Sequence, residues 1–220
     1  MTGSTAADHG GVAGVILAAG SSSRLGTPKQ LLRYRGETLL HRAVRLALEA
    51  GLHPVHVVLG SNASAVGEAL ADLRSRVTTV VNNDWQAGMG SSLARGIASL
   101  PAGSVAGPVP DCGAASGPSP GAALVLVTDQ PHVSGALLAA ITAAFHAGGA
   151  PLIASRYASG ALGVPALFAR GYFPELTRLT GDRGARALFT RYRGDLVTVA
   201  FPDGDLDIDT PAAAAALDPD

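Results

Sequence analysis

The sequence predicts an α/β protein built on a doubly wound, mostly parallel sheet with helices on both faces. Three observations carry this. Short apolar runs alternate with segments of helical period along most of the 220 residues, the pattern of strands joined by crossover helices. Val12–Ile16, Val55–Leu59 and Ala123–Val127 are almost wholly apolar, as strands buried on both faces must be. Polar clusters follow three of the strands, where open parallel sheets bind their ligands.

Taken in order, Val12-Ala13-Gly14-Val15-Ile16 is the first strand. Residues Glu37 to Ala50 put Leu40, Val44, Ala47 and Leu48 on one helical face, and Gly51 ends that helix. Val55–Leu59 is the second strand, followed by a short helix whose face is Val66, Leu70 and Leu73. Val77–Val81 is a third, β-branched strand. Leu93, Ile97 and Leu100 mark the next helix, Ala123–Val127 a buried strand, and Leu137, Leu138, Ile141 and Phe145 a long helix. Beyond Ala150 the pattern loosens. Leu152–Ala154 and Val164–Phe168 read as strands that either extend the sheet or form an antiparallel excursion. Asp182 is a candidate N-cap for a helix from about Arg183 to Tyr192. Leu196–Phe201 is the last strand, and Thr210-Pro211 starts a C-terminal helix, with Thr as N-cap and Pro at its first position.

This organises the chain as a flexible tail over residues 1–11 and a single domain over 12–217. Residues 101–121 interrupt the domain with five prolines among Gly, Ala and Ser. Such a segment cannot pack; it is expected to be a solvated, mobile insertion, the alternative being a functional lid.

Composition excludes several classes. Hydrophobic residues make up 47% and charged residues 15%, which describes a globular core. A net charge of −1 with no basic face argues against nucleic acid as a partner. Cys112 is the only cysteine, so no internal disulfide or Cys-based metal cluster forms, and a reducing cytoplasm fits. The first ten residues lack the basic and apolar regions of a signal peptide, and no apolar run is long enough to cross a membrane. A soluble, cytoplasmic protein is expected. The six histidines show no ligand spacing and read as structural or surface residues.

The chemistry concentrates in three clusters. The first strand empties into Leu17-Ala18-Ala19-Gly20-Ser21-Ser22-Ser23-Arg24-Leu25-Gly26-Thr27-Pro28-Lys29-Gln30. Small residues let backbone N–H groups face an anion, and Arg24 and Lys29 neutralise it. The spacing is neither that of a P-loop nor that of a dinucleotide fingerprint. An ordinary Gly/Ser turn would account for the glycines but not for two cations on one short loop. The second cluster is Asn82 to Ser92, in which Gly88 and Gly90 permit tight geometry and Ser91 and Ser92 open a helix whose N–H groups can receive an anion. Trp85 there either stacks on a ring or anchors the loop to the core. The third is Thr128-Asp129-Gln130-Pro131. A carboxylate directly after a buried strand is costly unless paired, and Mg²⁺ would relieve that cost while serving a triphosphate. Asp129 as an N-cap is the alternative, but Ser134 is better placed for that job. Asp207 and Asp209, on one side of an extended segment, are candidates for a second metal carboxylate; a solvated acidic turn with Asp203 and Asp205 is the other reading. Gly181 to Arg186 offers Arg183 or Arg186 to an acidic substrate, although capping explains Asp182 and solvation either arginine.

Leu17-Ala18-Ala19-Gly20 through Leu32, Asn82 through Ser92, Thr128 to Pro131, Gly163-Val164-Pro165 with Phe168, Gly181-Asp182-x-Gly184-Ala185 and Asp207 to Pro211 occur in an order that resembles the molybdenum cofactor nucleotidyltransferases. The resemblance runs from about Val12 to Leu217, outside the 101–121 insertion. It implies a Rossmann-like, glycosyltransferase-A-like fold. It also implies a Mg²⁺-dependent transfer of a nucleoside monophosphate to the terminal phosphate of molybdopterin, with release of pyrophosphate. Within the family, Ala19 and Gln130 stand where the guanylyl branch has Gly and Met, so the chain is most similar to the cytidylyl branch, with CTP rather than GTP as donor. Leu25 and Arg33 depart from the usual Met and Pro.

On this reading Arg24, Lys29 and Asp129 are catalytic. Asp129, Asp207 and Asp209 are the metal set. Leu17, Ala18, Ala19, Gly20, Ser21, Ser22, Ser23, Asn82, Gly88, Ser91, Ser92 and Gln130 join Arg24 and Lys29 around the nucleotide. The acceptor phosphate is already ionised, so catalysis is positioning plus charge neutralisation. The product would supply a molybdenum hydroxylase of the xanthine dehydrogenase type. The alternatives are guanylyl transfer, cytidylyl transfer to another phosphorylated acceptor, and a non-catalytic molybdenum cofactor chaperone.

Overall fold

The structure, a computed structural model, describes residues 10–22, 25–102, 119–148, 150–181, 184–206 and 208. Its centre is a seven-stranded sheet. In chain order the strands are β1 (Val12–Ala18), β4 (Val55–Leu59), β5 (Thr78–Val81), β6 (Ala122–Val127), β7 (Leu152–Arg156), β8 (Leu162–Ala169) and β9 (Leu196–Ala200); β2 (Arg33–Tyr34) and β3 (Glu37–Thr38) form a small separate hairpin. The order across the sheet is β5-β4-β1-β6-β8-β7-β9. All pairings are parallel except those of β8, which runs antiparallel between β6 and β7. The two loosely patterned strands after Ala150 therefore do both things the sequence allows: β7 extends the sheet and β8 is the antiparallel excursion.

Burial on both faces follows from the strand sequences. Successive side chains alternate faces, so Ile16 and Ala18 of β1 join one core with Leu124 and Leu126 of β6, while Val15 and Leu17 join the other with Val125. The first core is closed by α1 (Leu39–Glu49) and α4 (Gly135–Gly148), through Leu40, Val44, Leu138, Ile141 and Phe145. The second is closed by α3 (Met89–Ala98) and α6 (Arg186–Arg191), through Leu93, Ile97, Leu188 and Phe189. Helix α3 lies tight on the sheet because Gly96 has no side chain; a Cβ there would stand 2.6 Å from Val15 Cγ1 and 2.8 Å from Val58 Cγ2. Short helices α2 (Ala63–Glu68) and α5 (Phe173–Leu176) complete the layers.

Several boundaries differ from the sequence expectation for identifiable reasons. Helix α1 starts at Leu39, not Glu37, because Thr38 is its N-cap, its hydroxyl accepting from His41 N–H at 3.1 Å. The helix expected from Arg183 runs Arg186–Arg191, and Asp182 lies outside the described residues. The C-terminal helix expected from Thr210 and residues 103–118 of the insertion also lie outside them. The insertion's ends meet, the Ser119 hydroxyl donating to the Pro101 carbonyl at 3.1 Å. His56 is structural, as expected: it is buried in β4, and its Nδ1 lies 2.7 Å from the Ser99 hydroxyl. Among the described residues, no helix is long and apolar enough to cross a membrane.

Glu37 ties the hairpin to α1. Arg45 reaches it with Nε at 3.0 Å and Nη2 at 2.5 Å, and Arg42 with Nη1 at 3.4 Å. The Arg45 hydrogen bonds, against the opposing effect of burial and with help from His41 and Arg42, hold the Glu37 carboxyl at about 2 rather than 4.5. A carboxyl depressed by folding stabilises above its ordinary value and loses that contribution as pH falls through the folded one. Glu37→Gln should therefore cost about 1 kcal/mol at pH 7. The difference from the native protein should vanish between pH 4.5 and about 2, as read by urea unfolding over a pH series.

Candidate active site

The strand order reverses between β1 and β6: β4 follows on one side of β1, and β6 lies on the other. The loops leaving the carboxyl ends of these two strands border the crevice where such sheets hold ligands. The register Leu17↔Val127 brings the first and third polar clusters to the same height.

The loop after β1 is shaped by its own downstream end. Lys29–Leu31 is a 3-10 turn, and Gln30 within it is only 1% exposed. Its Nε2 donates to the carbonyls of Ala18 and Gly20, each at 2.9 Å. The Ala19 carbonyl between them accepts from Ser61 N–H at 3.1 Å. Lys29 N–H donates to the Ser22 hydroxyl at 2.8 Å, and Ser22 holds a left-handed φ of 52°. Three successive carbonyls are thus engaged inside the protein. The N–H groups of Gly20, Ser21 and Ser22 donate to no other described residue, so they are what the loop offers a ligand. Ser23 and Arg24 lie outside the described residues.

The second cluster is organised by Asn82, which is buried at the end of β5. Its Nδ2 donates to the hydroxyls of Ser91 at 2.9 Å and Ser92 at 3.1 Å, and its Oδ1 accepts from Asp84 N–H at 3.0 Å. Ser91 in turn faces the carbonyls of Gly88 and Asp84. Asn82 and Ser91 therefore brace the loop, while Gly88 and Ser92 line the cavity in front of it. Trp85 packs on the core with one part and lines that cavity with another, combining the two roles its sequence position allows.

In the third cluster, Asp129 Oδ2 forms an ion pair with Lys29 Nζ. Ser134 caps α4, its hydroxyl accepting from Leu137 N–H at 3.3 Å, which leaves Asp129 out of capping. Gln130 is committed elsewhere: its Nε2 donates to the Tyr157 hydroxyl at 2.9 Å and the Gly204 carbonyl at 3.1 Å. Tyr157 donates onward to the Val164 carbonyl at 2.6 Å. Its side chain is clamped between Gly163 and Gly204, where a Cβ would approach its hydroxyl to 2.0 Å and its ring to 2.1 Å, respectively. From the other side, Arg42 donates to the carbonyls of Pro131 and Val133, both at 3.1 Å.

Two cavities meet at Asp129. One, of about 330 Å³, is bordered by Leu17, Ala19, Gly20, Ser21, Lys29, Gln30 and Trp85. The other, of about 820 Å³, is bordered by Gln130, Tyr157, Ala185, Arg186, Phe189 and Thr190. Met89, Val127 and Asp129 line both. Of the residues expected at the nucleotide, Leu17, Ala19, Gly20, Ser21, Lys29, Gly88 and Ser92 border the smaller cavity with Asp129. Ala18, Ser22, Asn82 and Ser91 support it from behind, and Gln130 faces the larger one. Asp207 and Asp209 lie outside the described residues; Ile208 between them is buried against Tyr34 and Leu39. Sequence reasoning missed the supporting roles of Gln30, Arg42 and Tyr157. Only Gln30 carried a signal, standing next to Lys29 in a motif otherwise read for its cations.

A divalent cation suits this donor set. Among the described residues no group of three metal-ligating side chains is present. Mg²⁺ needs only one or two carboxylates when substrate phosphates and water complete its shell. Asp129 provides a half-buried carboxylate at the junction of the two cavities, and Lys29 occupies only its Oδ2.

Among solved structures, the chain is similar to Rv0371c from Mycobacterium tuberculosis H37Rv, at 34% identity and a TM-score of 0.76 over 94% of this chain and 97% of that one. A complex of that protein with manganese matches at 32% identity and a TM-score of 0.72 over the same shares. Nicotine blue oxidoreductase of Paenarthrobacter nicotinovorans is 52% identical over 86 residues, 39% of this chain and 41% of that protein. A probable molybdenum cofactor guanylyltransferase of Opitutus terrae is 50% identical over 52 residues, 24% of this chain and 26% of that protein. The chain thus spans less than half the length of these curated relatives. A model described as a MobA-like NTP transferase domain matches residues 14–196, and the chain belongs to that family.

Proposed function

We propose that the chain transfers CMP from CTP to the terminal phosphate of molybdopterin or the molybdenum cofactor. The observation that carries this reading is the Lys29–Asp129 pair at the junction of two cavities. A nucleotidyl transfer needs that layout, with one substrate on each side of a charge centre where their phosphates meet. Membership in the MobA-like family and the similarity to a molybdenum cofactor guanylyltransferase support it.

The smaller cavity takes the triphosphate. Lys29 supplies its cation, and its lining of Ala19 and Trp85 suits a base. The larger cavity, bordered by Tyr157, Phe189 and Arg186, takes the acceptor. An oxygen of the acceptor phosphate attacks the α-phosphorus in line. The α–β bridging P–O bond breaks, and its electron pair leaves with pyrophosphate as a new phosphoanhydride forms. No proton need be removed. Lys29, together with Arg24, neutralises charge on the departing pyrophosphate, and the N–H groups of Ser21 and Ser22 hold the phosphate oxygens. Mg²⁺ held by Asp129, with Asp207 or Asp209, supplies Lewis-acid polarisation of the α-phosphate when bound. The dinucleotide product would pass to a molybdenum hydroxylase in the cytoplasm.

For the base, Ala19 narrows the cavity by a methyl group and favours a pyrimidine. Gln130 contributes to the acceptor side instead, through Tyr157. One methyl is worth about 10- to 200-fold in discrimination, so kcat/KM should favour CTP over GTP by that order with the same acceptor. Equal values or a GTP preference would assign guanylyl transfer.

Asp129→Asn should lower turnover by about 10³-fold and Lys29→Ala by about 10²-fold, since each removes charge stabilisation felt in the transition state. Pyrophosphate release with CTP and molybdenum cofactor, alongside thermal melting, checks both. A folded Asp129→Asn protein with near-normal turnover would remove Asp129 from the mechanism.

A further inference from the structure

We propose that Gln30 is the positioning residue that decides which base the loop after β1 accepts, by keeping the loop's carbonyls away from the nucleotide. The proposal rests on the nucleotide-transfer reading and goes beyond it, because neither the cations nor Ala19 accounts for this residue.

The argument starts from hydrogen-bond capacity. A primary amide has two N–H donors and one acceptor oxygen. Gln30 places both donors on the loop, one on Ala18 and one on Gly20. Its Oε1 is buried with no partner among the described residues. An unmatched buried acceptor is costly, so this amide is held by its two carbonyl contacts alone. Turning it over would set its oxygen against two carbonyls. The result is a loop in which the carbonyls of Ala18, Ala19 and Gly20 are all engaged within the protein.

Charge orients the nucleotide in the smaller cavity. Lys29, with the cation that Asp129 would hold, takes the phosphate end, so the base lies toward Ala19, Gly20 and Trp85. A loop that withholds its carbonyls and offers the Gly20 N–H suits a base edge richer in acceptors than in donors. Cytosine presents O2 and N3 as adjacent acceptors beside one donor, its N4 amine. Guanine presents one acceptor, O6, beside N1–H and the N2 amine, two adjacent donors that meet no available carbonyl. Desolvating donors without partners discriminates strongly. Gln30 thus shapes selectivity through the loop, with both of its N–H donors spent on the loop's carbonyls.

The test replaces Gln30 by Met, which keeps length and apolar volume but donates nothing, and by Asn, whose shorter reach can serve only one carbonyl. Binding of CTP and of GTP with Mg²⁺ is measured by calorimetry for both variants and the native protein, with melting as a control. The ratio of CTP to GTP affinity should fall by about 10-fold or more in Gln30→Met, with a smaller fall in Gln30→Asn. The freed carbonyls should raise GTP affinity while CTP affinity drops. A parallel loss for both triphosphates at an unchanged ratio, in whichever variant folds, overturns the proposal and leaves Gln30 as a packing residue. No acceptor is used, so a wrong acceptor leaves this result untouched. The native preference tests the cytidylyl reading, and the change in ratio tests Gln30.

Discussion

Lys29 and Asp129 are 100 residues apart in the chain, yet their side chains form one ion pair where two cavities meet. Neither charge would be tolerated alone so close to the carboxyl ends of buried strands. The pair exists because β1 and β6 are neighbours in the sheet, with Leu17 opposite Val127. Every other feature of the site serves to hold these two groups in place or to shape the space on either side of them.

That support comes from polar side chains set in or behind the cavity walls. Gln30 gathers the carbonyls of the first loop, Asn82 ties the second loop to the start of α3, and Arg42 grips the carbonyls of Pro131 and Val133 beyond Asp129. Arg42 is itself aligned by Glu37 and by the Tyr34 ring, 5.3 Å from its guanidinium carbon. A chain of packed and hydrogen-bonded groups thus runs from the β2–β3 hairpin to the segment that carries Asp129. Preorganisation of this kind lets a site act by electrostatics without reorganising during the reaction. Beside the larger cavity, Gln130, Tyr157 and the two glycines around its side chain play the same part.

The alternation of apolar runs with helical periods was legible along β1, α1, β4, β6 and α4, because burial on both faces of a sheet demands near-continuous apolar strands. The antiparallel placement of β8 was not, since a strand's own side-chain pattern is the same whichever way its neighbour runs. Gln130 shows the equivalent limit at the site. Its place directly after Asp129 suggested the nucleotide, but alternation along an extended segment turns adjacent side chains to opposite sides, and its amide found Tyr157 and Gly204.

The sequence by itself determined the fold class, the three polar clusters and the charge chemistry of Lys29 and Asp129. These are local properties of composition and period, set by what each segment must bury or leave in water. Only the tertiary structure decided which clusters share a cavity, that Asp129 borders two of them, and that Gln30 and Arg42 brace the loops through backbone carbonyls. Such relations depend on strand order and on hydrogen-bond partners distant in the chain. Residue types record what a side chain can donate or accept, and the packed fold selects the partner that receives it.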